Sequence, residues 1–100
     1  MATLKQQRYS DEEYTNLYMY AVRTDNLEAA TEINEHRRFF GQQVRVIKGR
    51  KVPIGTTGEV VYLSRKHHGQ NQWFGFETYI GIKDEHGATH YTNLKNVEII

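Results

Sequence analysis

The segment Gly49–Val61, GRKVPIGTTGEVV, decides how this chain folds. It packs three glycines and the only proline of the sequence between two runs rich in β-branched residues. Such a stretch must turn tightly and present its backbone to a neighbour. Upstream, QVRVIK alternates as a strand does, with Val44 and Val46 on one face and Arg45 on the other. Downstream, GEVVYLS reads as the partner strand. Gly49, Gly55 and Gly58 are the structural turn positions.

Working outward toward the C-terminus, RKHHGQNQWFG is polar and glycine-bearing and reads as a loop. FETYIGIKD follows as a third strand with Ile80 and Ile82 facing inward. DEHG is a tight turn around Gly87, and ATHYT is a fourth strand. NLKN has the length of one 3₁₀ turn, and VEII closes the chain as a fifth strand with Val97 and Ile99 inward. Toward the N-terminus the periodicity becomes helical. Ser10 and Glu13 have the spacing of a capping box, and Tyr14, Leu17, Tyr18, Ala21 and Val22 share one helical face, with Tyr20 pointing away as a contact position. Asp25 and Glu28 repeat that spacing before a second helix whose inner side carries Leu27, Ala30 and Ile33 and which stops at Gly41. Residues 1–9 read as a loose polar arm.

The expected architecture is therefore α+β. Residues 1–40 supply an arm and a helical hairpin, and residues 41–100 a five-stranded SH3-like β-barrel, the two forming one compact unit with a shared core. The whole chain has 100 residues, which suits one domain. No apolar run is long enough for a membrane span, and MATLKQQRYS lacks the apolar stretch of a signal peptide, so a cytoplasmic protein is expected. The absence of cysteine excludes disulfides and thiolate chemistry. Net charge is +1, but residues 41–100 carry eight basic against five acidic side chains, while residues 1–40 carry five against seven. The second half is mildly cationic, which is compatible with nucleic acid without requiring it.

GQQVRVIKGRKVPIGTTGEVVYL resembles the KOW motif of ribosomal proteins and bacterial-type transcription elongation factors. The likeness lies in Gly41, Val44–Ile47, Gly49, the pair Gly55 and Gly58, and Val60–Val61. It implies an SH3-like barrel in which Gly58 sits where strand two begins, leaving no room for a Cβ. It also implies a role in binding RNA, DNA or a protein within a nucleic-acid machine. Two departures stand out. Five residues separate Gly49 from Gly55, a longer gap than usual, and Thr56, Thr57 and Glu59 occupy places where the family often has cations.

Two stretches carry possible binding chemistry. Arg45, Lys48, Arg50 and Lys51 could contact phosphates, or be ordinary solvated charges. Arg65 and Lys66 lie near His67, His68, Trp73, Phe74 and Phe76, a cation–aromatic mixture suited to single-stranded nucleic acid or to a protein interface; Phe76 is expected to be buried, and Trp73 is left open. His86 and His90 have helical metal-ligand spacing but fall in a hairpin without a clear third ligand, so no metal or cofactor is expected. Neither Ser10 nor Ser64 sits in a nucleophile elbow, and no phosphate-cradling P-loop is present, so no enzyme is expected. Two functions remain. One is a non-catalytic nucleic-acid-binding module using Arg45, Lys48, Arg50, Lys51, Arg65, Lys66, Trp73 and Lys83. The other is a protein-interaction adaptor in a transcription, translation or host-regulatory complex, using Val52, Ile54, Tyr20 and Trp73.

Overall fold

The computed structural model describes residues 4–67 and 75–100. In order, the chain forms α1 (Asp11–Arg23), α2 (Leu27–Phe39), β1 (Gln43–Val46), β2 (Thr57–His67), β3 (Phe76–Lys83), β4 (Thr89–Asn93), a 3₁₀ turn (Leu94–Asn96) and β5 (Val97–Ile99). The strands form one antiparallel sheet of order β4-β3-β2-β1-β5. The protein is thus α+β, but among the described residues the sheet does not close into the expected cylinder: it is open, with β4 and β5 as its two edges.

The first helix starts as its sequence dictates. Ser10 Oγ accepts from the Glu13 amide at 3.1 Å, and Glu13 returns its carboxylate to the Ser10 amide at 3.1 Å. Only Tyr14 and Ala21 of the expected stripe are buried; Tyr18 and Val22 are exposed. The second helix starts one residue later than the spacing suggests. Asp25 adopts φ +57° and its amide donates to Val22, while the Asn26 amide donates to Ala21. These bonds are the Schellman pattern that ends α1, so Asp25 is consumed there and Asn26 caps α2 through the Ala29 amide. Ala30 and Ile33 face inward, whereas Leu27, in the first turn, is 68% exposed.

Val44, Val46, Val60, Leu63, Ile80 and Ile82 are completely buried on one face of the sheet, with Phe40, Val52, Leu94 and Val97 closing the cluster. Each fully buried aliphatic side chain contributes about 2 kcal/mol. Val60 and Leu63 are three residues apart and would face opposite sides of a regular strand. A β-bulge between Val60 and Tyr62 inserts the extra residue that brings both inward. Ile99, expected inward, is 42% exposed. From the helices, Phe39 at the end of α2 packs against this cluster, and His36 stacks on its Phe40. Leu4, Tyr14, Ala21, Ala30 and Ile33 form a second one of their own.

Between the clusters the contacts are polar and specific. Strand β2 outruns β1, which pairs only with its first residues. The edge left bare is covered by side chains: Gln6 accepts from the Leu63 amide at 2.9 Å and donates to the Leu63 carbonyl at 3.2 Å, and Glu32 accepts from the Arg65 amide at 3.0 Å. Residues 4–9 are therefore not a loose arm. Leu4 is buried, the Lys5 carbonyl faces His36, and Arg8 donates to the carbonyls of Arg37 and Phe40.

Candidate functional site

The connection from β1 to β2 bends as its glycines require. Gly49 and Gly55 take φ of +107° and +97°, the left-handed region that side chains disfavour. Gly58 is constrained differently. A Cβ there would stand 2.6 Å from Ile82 Cγ2 and 2.8 Å from the Lys83 carbonyl carbon, with the Lys83 oxygen closer still. Between these turns, Val52 drops into the sheet core, so the expected contact residue Val52 is an anchor instead; Ile54 stays 68% exposed. Anchored by Val52, the loop holds Arg50 and Lys51 over β3 and β4. Together with Tyr79, Tyr91, Asn93 and Asn96 they line a groove of about 370 Å³.

The register explains the aromatic side of this groove. Tyr62 and Tyr91 both pair with Gly81, and Ser64 and Asn93 both pair with Tyr79, so these residues share the face opposite the core. Gly81 makes the arrangement possible, since a Cβ there would meet Tyr91 Cε1 at 2.9 Å and Tyr62 Cβ at 3.0 Å. The Tyr62 and Tyr91 rings meet edge to face, with centroids 5.8 Å apart and planes at 78°. Tyr91 remains 57% exposed. Glu77 ties two of the lining residues together. It accepts from the Tyr79 hydroxyl at 3.2 Å and the Asn93 amide at 3.0 Å, with Lys95 Nζ at 3.5 Å. Burial raises the Tyr79 phenol above its ordinary pKa and the Glu77 carboxylate raises it further.

The other expected cations are distributed differently. Arg45, Lys66 and Lys83 are exposed on strands, each directly across from a carboxylate: Glu98, Glu77 and Glu59 respectively. Lys48 is exposed in the β1–β2 connection, where its amide donates to the Asn96 carbonyl at 3.3 Å. Among the described residues no acidic side chain forms an ion pair with Arg50 or Lys51. Arg65 is engaged within the protein. It lies in β2, not in a loop, and its side chain is 16% exposed. Its Nε donates to Glu28; its Nη1 donates to Thr78 at 3.0 Å and lies 3.5 Å from Glu35, while Thr78 in turn donates to Glu35. The guanidinium also faces the Phe76 ring at 5.9 Å. This cluster ties α2 to β2 and β3. Trp73, His68 and Phe74 lie outside the described residues.

His90 is held by Asp84 at 2.7 Å, and this hydrogen bond keeps the Asp84 carboxyl below its usual range. Among the described residues no three His, Cys, Asp or Glu side chains converge as metal ligands. No described helix is long and apolar enough to cross a membrane. The sequence reading missed Tyr62, Tyr79 and Tyr91. Outward alternation of Tyr79 and Gly81 was visible in FETYIGIK, but their union with Tyr62 and Tyr91 depends on a register that the bulge shifts. No protein-family model matches the chain, nor does any curated protein or solved structure.

Proposed function

We propose that this chain is a non-catalytic nucleic-acid-binding module whose contact surface is the groove between the β1–β2 loop and the outer face of β3 and β4. The observation that carries this reading is the pair Arg50 and Lys51, free of ion-pair partners among the described residues, beside the exposed Tyr91 and the half-buried Tyr79. Cations bind phosphates, and ring faces bind bases. Kinship with the KOW-type, SH3-like barrels is part of the same proposal. It is supported by the strand order, by the 3₁₀ turn before the last strand and by the close approach at Gly58. Arg45, Lys66 and Lys83 contribute less, because each shares its surroundings with a carboxylate.

Two phosphate contacts set a modest magnitude. On single strands they predict that affinity falls about sevenfold between roughly 50 and 200 mM salt. Fluorescence anisotropy with labelled RNA and DNA, single- and double-stranded, measures this directly. Arg50→Ala and Lys51→Ala should each weaken binding and flatten the salt dependence. Absence of binding to every probe at low salt discards the proposal. The adaptor reading rests on a separate observation, the exposed Tyr20 and Leu27 of the helical hairpin. Capture of one stoichiometric protein partner after nuclease treatment, abolished by Tyr20→Ala, would favour it.

A further inference from the structure

Resting on the nucleic-acid reading above, we infer that the groove takes a single strand, with an unstacked base laid on the Tyr91 ring and the adjoining phosphates on Arg50 and Lys51. Four features support this. Tyr91 is the most exposed aromatic residue on the described part of the sheet, and its ring meets Tyr62 in an edge-to-face pair. Gly81 forms the floor beneath the Tyr91 ring, where a Cβ would press on Tyr91 Cε1 and Tyr62 Cβ. Tyr79 is fixed by its hydroxyl to Glu77, so the second ring of the groove is held in place before a ligand arrives. The polar complement is equally pre-set: the Asn93 side chain accepts from the Lys95 amide and donates to Glu77, and the Asn96 side chain donates to Thr92.

A duplex would waste this surface. Its bases are stacked inside, and their faces cannot reach a tyrosine ring. It would also present a broad phosphate array to a face whose other strand cations lie across from acids. A single strand uses both components, since every base has a face to stack and two cations can follow one short stretch of backbone. Sequence preference should be weak. The amides of the groove are engaged with protein groups, and stacking tolerates every base.

The test is competition between labelled single strands of about ten nucleotides, as RNA and as DNA, and the matching duplexes, a length within the span of one small binding domain. Single strands should bind at least about tenfold more tightly than duplexes. Tyr91→Leu should weaken single-strand binding about tenfold with the salt slope unchanged, and Tyr91→Phe should retain it, because the ring and not the hydroxyl does the stacking. Should Tyr91→Leu fail to fold, the Tyr91 ring-proton shifts of the unaltered protein decide: upfield movement on titration with the single strand is expected, and no movement overturns the inference. Equal affinity for duplex, or an indifferent Tyr91→Leu while Arg50→Ala still flattens the salt slope, overturns the single-strand inference and leaves the nucleic-acid reading standing. If no probe binds, both fall.

Discussion

At Gly58 a hydrogen atom stands where any other residue would drive a methyl group into the backbone of Lys83. Gly58→Ala is therefore expected to cost about 1–3 kcal/mol, the range for forcing extra volume into packed surroundings. Gly55→Ala is the control. It has open space around it and only its positive φ to violate, so about 1 kcal/mol is expected. Urea denaturation of the two variants compares them, and equal losses would show that close approach is not what Gly58 provides. The need for glycine at 58 was legible because it follows from a strand meeting its neighbour just after a turn. The part played by Tyr91 was not. Its exposure is set by Gly81 and Tyr62 on two other strands, and nothing adjacent to Tyr91 in the chain announces either.

Among the elements, what is local could be read, and what depends on alignment could not. The α1 capping box lies within four consecutive residues and formed as expected; Ser10→Ala should lower stability by about 1 kcal/mol, seen as a drop in the thermal midpoint. The start of α2 was displaced because the end of α1 claimed Asp25 first. Strand β2 was read too short because Arg65 and Lys66 look like loop residues until α2 supplies carboxylates for one and β3 a cross-strand acid for the other. Arg65→Ala leaves Glu28 and Glu35 without their cation. Since the pair is partly exposed, about 2 kcal/mol is expected, less than for a fully buried ion pair. Nucleic-acid affinity should stay unchanged in that variant once folding is verified. A selective loss of binding would put Arg65 back on the ligand surface.

For the molecule as a whole, two hydrophobic clusters joined by polar contacts make stability depend on pH. His36 is fully buried, stacked on Phe40 at 4.5 Å, with Nδ1 2.6 Å from the Tyr14 hydroxyl and Nε2 3.2 Å from the Lys5 carbonyl. The carbonyl requires the proton on Nε2, so Nδ1 accepts from Tyr14 and the ring is neutral. Burial, and then the nearby Arg8 charge, hold its pKa below the ordinary 6.5, against the opposing pull of the Lys5 carbonyl. Below pH 6.5 the unfolded chain takes up the proton first, so the His36 contribution is complete above that value and is lost as pH falls toward the folded value. Glu32 acts in the opposite sense. Burial raises its carboxyl above 4.5, so stability from this group declines as pH rises through the window above that value. Thermal midpoints between these limits should fall with acidification more steeply in Glu32→Gln than in the unaltered protein, and His36→Phe should flatten the profile. A Glu32→Gln profile no steeper than wild type would contradict the assignment. Gln6 and Glu32 have one more consequence. Between them they occupy the amides of Leu63 and Arg65 and the carbonyl of Leu63, groups that would otherwise invite a foreign strand. A protein shorn of its first nine residues would keep Glu32 but offer the Leu63 stretch of β2 to its own copies, and self-association in light scattering, growing with concentration, is how the loss would show itself.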